Sequence, residues 1–239
     1  MRNGDFSQRC DACETGFSGW DLSWAGPRVS CGGDHGALLI SCQNDVDAVG
    51  FVEQAVTIPE VKEPVIASLT AMASTTALTG KGASLNIACY GADGSFLTNK
   101  DSGVLPSMWV RGTRPTERWT LKLVLPRGTT TVKAGVLVNG HGEARFDDVA
   151  ISFTGLSGRV PDKNAMAYVN AACDTIAQHA VYKDSVDINA LREVAWKLAG
   201  ADNDPVDHHL AVEYLLQALG DHHSFLLTRE QYSAWEMES

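Results

Sequence analysis

The chain has 239 residues, of which 44% are hydrophobic, so it can hold one large domain or two smaller domains with ordinary cores. Its 19 Lys and Arg residues against 29 Asp and Glu residues give a formal net charge of -10, which argues against a nucleic-acid-binding surface and against anionic membranes. No apolar run approaches the roughly 20 residues that span a bilayer, so membrane insertion is not expected.

The sequence is compatible with more than one cellular compartment. The first five residues contain no apolar signal-peptide core, so either the chain is cytoplasmic or a leader was removed before this numbering begins. Cys10 and Cys13 form a Cys-x-x-Cys pair, and Cys31 and Cys42 follow. These four thiols could hold zinc, form two disulfides or remain free.

Residues 1–155 predict an antiparallel β-sandwich of the jelly-roll type. Apolar and polar residues alternate at 85–89 and 121–125, and 136–138 adds a short apolar run. Turn signals separate these runs, at positions 80–82, 92–94, 126–128 and 139–140. Many short strands with such punctuation are typical of this fold class.

The last predicted strand carries an irregularity at Asp147 and Asp148. Strict alternation cannot place both Phe146 and Val149 in one core, whereas a β-bulge at the acidic pair allows both. Adjacent carboxylates are hard oxygen ligands of the kind that Ca²⁺ prefers. The pair is therefore either part of a calcium site or a solvated acidic strand end.

Three stretches carry a resemblance to a known fold family. They are Asn3-Gly4-Asp5-Phe6 with Gly19-Trp20, then 51–56, and finally 144–149. Together they resemble a carbohydrate-binding-module-like jelly roll. The resemblance implies a glycan ligand and a structural calcium held between the first and last strands. It makes Asp5, Asp147 and Asp148 the predicted metal ligands.

Exposed aromatic side chains are the groups expected to bind a sugar, because a planar ring offers an apolar platform beside polar groups that orient hydroxyls. Trp is also highly buried on average, so each candidate could equally fill the core. Trp20, beside Gly19, is expected in the core. The predicted ligand-binding residues are Trp24, Tyr90, Trp109 and Trp119.

After a turn-rich linker at 156–162, the apolar period changes from two to about 3.6. Residues 163–239 therefore predict a small helical bundle. Apolar residues at helical spacing predict a first helix from Met166 to Ala180. Caps and helix-breaking residues mark three more helices, which are Asp187 to Leu198, Pro205 to Gly220, and a short one from Thr228.

The stretches 180–187 and 218–225 carry a second resemblance. The latter contains the phrase Leu-Gly-Asp-x-His-Ser, in which Asp221, His223 and Ser224 match. The helical region is similar to the N-terminal helical segment of C-terminal-processing, or tail-specific, serine peptidases. In that family the catalytic Ser and Lys lie in a later domain, and members are often exported. The resemblance implies that this chain has no catalytic residue and that a separate catalytic domain could be its partner.

The sequence is consistent with two alternative functions. The first is a non-catalytic binding or scaffolding protein with a glycan or protein ligand. The second is a cyclase- or lyase-like enzyme that uses the concave face of a calcium-stabilised jelly roll, with Asp101, Glu117 and Asp147 as candidate residues. The sequence contains no Walker-type loop, no His-Glu-x-x-His and no Gly-x-Ser-x-Gly motif, so it offers no further class of enzyme.

Overall fold

The structure, a computed structural model, describes residues 3–8, 10–26, 28–34, 36–43, 48–101, 109–200, 205–220, 226 and 232–233. The chain divides into two compact units, Met1–Glu63 with Ala67–Phe153, and Pro64–Ile66 with Thr154–Ser239. The first unit is antiparallel β-structure and the second is mainly helical. None of the helices in these ranges is long and apolar enough to cross a membrane.

The described residues form nine strands and three α-helices. The strands are β1 (Asp21–Ala25), β2 (Val29–Asp34), β3 (Ala37–Cys42), β4 (Val49–Thr57), β5 (Val65–Tyr90), β6 (Phe96–Asp101), β7 (Val110–Leu125), β8 (Thr131–Asn139) and β9 (Gly142–Gly155). The helices are α1 (Lys163–His179), α2 (Ile188–Ala199) and α3 (Pro205–Ala218).

The 26-residue strand β5 takes part in two sheets. Residues 86–90 pair with β8 on one edge and with β6 on the other, and β4 and β1 follow β8. Because both edges of that segment are occupied, β9 and β7 pair with the preceding part of β5, and β3 and β2 follow β9. We call β1-β4-β8-β5-β6 the first sheet and β2-β3-β9-β5-β7 the second sheet.

The two sheets pack face to face, which confirms the predicted sandwich. A Cβ on Gly50, in β4 of the first sheet, would lie 2.7 Å from Cγ2 of Ile40 and 2.8 Å from Cγ1 of Val29. Both of these side chains belong to the second sheet. Alternating apolar residues of both sheets fill the space between them, among them Leu38, Val52, Leu69, Leu85, Ile87, Leu123, Val136 and Phe146.

The turn predicted at 80–82 is wrong, because β5 runs through these residues without ending. Gly80 and Gly82 have φ values of 77° and 112°, which residues with a side chain rarely adopt. The strand therefore bends here as it passes from one sheet to the other. A turn and a bend both require such glycines, so the local sequence does not distinguish them. The other three predicted turns lie between strands.

The predicted irregularity in the last strand is confirmed. Phe146 and Val149 are both buried, and Asp148 between them has a φ of 48°. This left-handed residue interrupts the alternation and returns the following apolar residues to the core side. An acidic residue tolerates the conformation better than a β-branched one does.

The opening segment differs from the expected first strand. Residues 3–8 form turns, with the amide of Phe6 donating to the carbonyl of Asn3. The Phe6 ring packs against Phe17 and Trp20, with centroid distances of 4.9 and 5.1 Å. Trp20 is buried, as predicted, and its Nε1 donates to the carbonyl of Asn3. An aromatic cluster therefore anchors this segment, together with the amide of Val149, which donates to the carbonyl of Gly4 at 2.8 Å.

The structure selects among the alternatives for the cysteines. Cys10 and Cys13 form a disulfide, with an S–S distance of 2.00 Å. Cys31 and Cys42 are free thiols, and burial raises their pKa values to about 12 and about 11. A four-thiolate zinc site is therefore not formed by these residues. Cys89 is buried, as its apolar surroundings in the sequence predict.

Helices α2 and α3 begin at or next to their predicted first residues, and α1 begins at Lys163, slightly before the predicted Met166. Asp162 caps α1 by accepting from the amide of Ala165, and Asp187 caps α2 by accepting from two amides of its first turn. Helix α3 starts at Pro205, and Gly220, with a φ of 68°, follows its end. The predicted fourth helix lies almost wholly outside the described residues.

Arg159 connects α2 and α3 through hydrogen bonds and an ion pair. Its Nε and Nη2 donate to the carbonyls of Lys197 and Leu198 in the last turn of α2, where the orphan carbonyls of a helix need donors. Nη2 also forms an ion pair with Asp207 in the first turn of α3, at 2.6 Å. One guanidinium therefore fixes how these two helices meet.

Candidate ligand-binding face

A row of polar side chains crosses the outer face of the first sheet. The strand registers place Asp21, Glu53, Gly135, Asn86 and Asp101 opposite one another on β1, β4, β8, β5 and β6. Residues directly opposite across antiparallel strands point to the same side of the sheet. We call these five residues the polar row. Their immediate neighbours on β4, β8 and β5 fill the core, so the row faces away from it.

An ion pair lies at the centre of this face. Nζ of Lys133, which stands next to the row on β8, donates to Oε1 of Glu53 at 2.6 Å, and the Ser23 hydroxyl donates to the same oxygen. The hydrogen bond to Glu53 is the main cause that raises the pKa of Lys133. Glu53 is only 6% exposed although it is on the outer face. Donor and acceptor are thus fixed before any ligand arrives.

A second polar pair continues the row toward β6. Nδ2 of Asn86 donates to Oδ1 of Asp101 at 2.6 Å. Burial raises the pKa of the Asp101 carboxyl, while the hydrogen bond from Asn86 and the charge of Lys81 act in the opposite direction. The Asn86 side chain is nearly as buried as Glu53. Its remaining N–H and its carbonyl oxygen are the groups that a bound hydroxyl could meet.

Aromatic side chains lie at the two ends of this face, on opposite sides of the polar row along the strands. Trp24, opposite Phe51 in the register of β1 and β4, is 63% exposed. At the other end the Tyr90 ring contacts Phe96 edge-on, with centroids 5.8 Å apart, and Nζ of Lys133 lies 5.6 Å from the Tyr90 centroid. Phe96 is 59% exposed. Shielded polar groups therefore lie between exposed aromatic rings on this face.

Gly135 lets Phe51 lie across the middle of the row. A Cβ at Gly135 would be 2.5 Å from Cε2 of Phe51 and 2.8 Å from the carbonyl oxygen of Val52. Only glycine leaves room for the ring at this position. The floor of the face is therefore part aromatic and part polar, which is the composition of ligand sites that fix orientation as well as bury area.

The four aromatics predicted to bind a ligand fall in different places. Trp24 and Tyr90 lie on the outer face of the first sheet. Trp119 is 8% exposed and packs edge-on against Phe146, with centroids 5.9 Å apart, so its ring is not accessible as a platform. Trp109 is half-buried just before β7, and its role stays a prediction.

Sequence reasoning missed Glu53, Asn86 and Lys133 as site residues. Each is a polar residue at a strand position whose two neighbours on the strand are buried. That pattern alone would also fit a solvated outer face. The site exists only because the register aligns residues that are as far apart in the chain as Asp21 and Gly135.

The predicted metal ligands lie near one another. Burial raises the pKa of Asp147, and the neighbouring carboxylates of Asp148 and Asp5 raise it further. Oδ1 of Asp147 accepts from the amide of Asp148, and Oδ1 of Asp5 accepts from the amide of Ser7. In the part of the chain that the structure describes, no three His, Cys, Asp or Glu side chains form a group that could hold a metal. Calcium therefore stays a prediction.

The predicted peptidase-family motif is not placed by the structure. Asp221, His223 and Ser224 lie outside the described residues.

No protein-family model and no curated protein sequence matches the chain. Among solved structures, the enzymatically active domain of tailspike protein 4 from bacteriophage CBA120 shares 15% identity at a TM-score of 0.42, over 57% of this chain and 19% of that chain. The carbohydrate-binding module TmCBM61 in complex with β-1,4-galactotriose shares 15% identity at a TM-score of 0.39, over 64% of this chain and 96% of that chain.

A family 16 carbohydrate-binding module is also similar, with 12% identity at a TM-score of 0.36, over 57% of this chain and 91% of that chain. The chain thus matches nearly the whole of these two modules but less than a fifth of the tailspike domain. These likenesses assign neither a ligand nor an activity to this chain.

Proposed function

We propose that this chain is a non-catalytic glycan-binding protein whose ligand lies across the outer face of the first sheet. The observation that carries the proposal is the polar row with exposed aromatic rings on either side of it. Rings stack on the apolar faces of sugars, and the fixed donors and acceptors between them orient hydroxyl groups. Five strands at their usual spacing span about 19 Å, so the face suits an oligosaccharide.

The charges of the face favour a neutral glycan. Asp21, Glu53 and Asp101 contribute carboxylates to the row, and Lys133 is already paired with Glu53. An acidic sugar would meet more negative than positive groups here, with the attraction of Lys133 largely offset by its partner. Hydroxyl groups, in contrast, can donate to the carboxylates and accept from Asn86.

A binding assay on a panel of neutral oligosaccharides tests the proposal. We expect measurable affinity for at least one of them, and a drop of about tenfold or more when Trp24 or Tyr90 is replaced by alanine, since each removes an aromatic platform. Tyr182→Ala is the matched control, because this tyrosine is 53% exposed in the helical unit. Equal losses for all three variants, or no binding at all, would contradict the proposal.

The alternative is a cyclase- or lyase-like enzyme on the same face. One observation favours it, the raised pKa of Asp101, because burial beside a ligand face is how enzymes prepare a carboxyl for proton transfer. Glu53, however, is held as the partner of Lys133 and is poorly suited to exchange a proton. Product release from any panel glycan, lost in Asp101→Asn, would replace the binding proposal by this one.

For the helical unit we retain the relation to tail-specific peptidases as part of the proposal. The unit would dock on a separate catalytic domain and leave this chain without peptidase activity. Turnover of unstructured peptides by this chain alone would contradict it.

We also propose that calcium binds at Asp5, Asp147 and Asp148. The support is the raised pKa of Asp147, which is caused first by burial and then by repulsion from Asp148 and Asp5, and a bound cation would relieve that repulsion. Without metal, Asp147→Asn is expected to raise stability at neutral pH by removing this repulsion. Because the pKa of Asp147 is raised on folding, the folded state loses stability as pH rises from the ordinary carboxyl value through the folded value.

Thermal melts of the wild-type chain and Asp147→Asn with and without calcium check this prediction. Calcium should raise the melting temperature of the wild type and have little effect on the variant. Equal shifts, or none in the wild type, would remove calcium from the proposal. Asp174→Asn is a control, because its side chain is 63% exposed and lies in the helical unit.

A further inference from the structure

A second charged feature lies on the opposite side of the sandwich, in the second sheet. Trp119, Leu121, Leu123 and Leu125 of β7 are buried in the core. Since alternate residues of a strand share a face, Arg114, Thr116 and Arg118 point away from that core, and all three are exposed. We call these three residues the arginine strip. Its two guanidinium groups start from Cα atoms about 13 Å apart along the strand.

The strip is locally basic in an acidic protein. Strand β7 contains four Lys or Arg residues and one Glu, a formal charge of +3, whereas the whole chain carries -10. All residues from 112 to 118 are exposed although they belong to a strand. A concentration of positive charge against the sign of the chain favours an anionic partner.

The neighbouring strand adds hydroxyl groups to this surface. In the first part of β5 the residues Ala67, Leu69, Ala71 and Ala73 are buried, so the alternate positions face outward with the strip. These outward positions are Ser68, Thr70, Met72, Ser74 and Thr76. Guanidinium groups beside hydroxyls are the donors that bind carboxylate and sulfate oxygens well.

Two other classes of anionic partner fit this surface poorly. The described pairings of β7 are with β5 alone, but Pro115 interrupts the free edge, which disfavours a peptide that would add as a further strand. Single-stranded nucleic acid is bound through bases stacked on aromatic rings. From residue 112 to residue 118 the strand contains no aromatic residue.

We infer that the arginine strip binds an acidic polysaccharide, one that carries carboxylate or sulfate groups, independently of the glycan face on the first sheet. The inference goes beyond the proposed function, because it concerns another surface, other residues and an acidic instead of a neutral ligand. The two surfaces would let one sandwich hold a neutral and an acidic glycan at the same time.

Titration with three polymers tests this inference: an oligogalacturonate for carboxylates, a dextran sulfate for sulfates, and neutral dextran. We expect binding of one or both acidic polymers, weakened by rising salt because the contacts are exposed charges. Arg114→Ser/Arg118→Ser should weaken it by about tenfold or more. Lys62→Ser/Arg127→Ser, which makes the same charge change at exposed positions elsewhere in the unit, should have a much smaller effect.

The outcomes are distinct. No binding of either acidic polymer at low salt, or equal losses in the two double variants, would overturn the inference. Equally tight, strip-dependent binding of an oligothymidylate would also overturn it in favour of a nucleic-acid partner. Trp24→Ala and Tyr90→Ala should leave acidic binding unchanged, so a failure of the first-sheet proposal is seen separately from a failure of this one.

Discussion

Replacing Gly140 with alanine is expected to lower the free energy of unfolding of the β unit by about 3 kcal/mol or more. The φ of Gly140 is 139°, and a Cβ there would lie 1.9 Å from the carbonyl oxygen of Thr79 and 2.8 Å from its carbonyl carbon. Both atoms are backbone, and the Gly140 amide is held from the other side by the carbonyl of Ala48 at 2.9 Å. Neither the Thr79 backbone nor the Gly140 backbone can shift to make room for the Cβ without a large loss of stability.

Chemical denaturation of purified protein measures this effect. Gly155→Ala is the matched control, because no heavy atom lies within 4 Å of a Cβ at that position. Its free energy of unfolding should stay within about 0.5 kcal/mol of the wild type. A Gly140→Ala variant as stable as this control would mean that the junction between β8 and β9 relaxes more readily than its contacts indicate.

Lys133→Met is expected to reduce both stability and glycan affinity. It leaves the carboxylate of Glu53, 8% exposed at its side chain, without its cation. We expect a loss of about 2 kcal/mol, less than for a fully buried pair, because the Lys133 side chain is 37% exposed and partly screened. Glycan affinity should fall by about tenfold, since the ordered donor and acceptor of the face are lost.

The double variant Glu53→Gln/Lys133→Met separates the two effects. It removes both charges, so most of the stability should return while glycan affinity stays low. Since the pKa of Lys133 is raised on folding, the contribution of the pair to stability is complete below the ordinary lysine pKa and is lost as pH rises through the folded value. A double variant that binds as the wild type does would show that the pair is not part of the ligand site.

Local patterns were sufficient to predict much of the fold. Alternation identified the buried parts of β5, β7 and β8, and the cap residues Asp187 and Pro205 marked the starts of two helices. These features depend on neighbours in the chain. The extent of β5 was not predictable in the same way, because the two glycines that bend it have the same local appearance as a turn.

The candidate binding face could be predicted from the sequence only in part. Trp24 and Tyr90 were identified by residue type, whereas Trp119, of the same type, lies in the core. What separates them is the side of the sheet that each occupies, and that depends on registers set by distant strands. The pairing of Glu53 with Lys133, which are 80 positions apart in the chain, is another product of register.

The shared strand β5 has a consequence for how the sandwich opens. Because one continuous segment supplies hydrogen-bond partners to β8 and β6 in one sheet and to β9 and β7 in the other, neither sheet can lose its central strand alone. Amide protons in both sheets would then exchange with solvent through one common opening reaction rather than two. We therefore expect the two layers of the sandwich to unfold together as one cooperative unit.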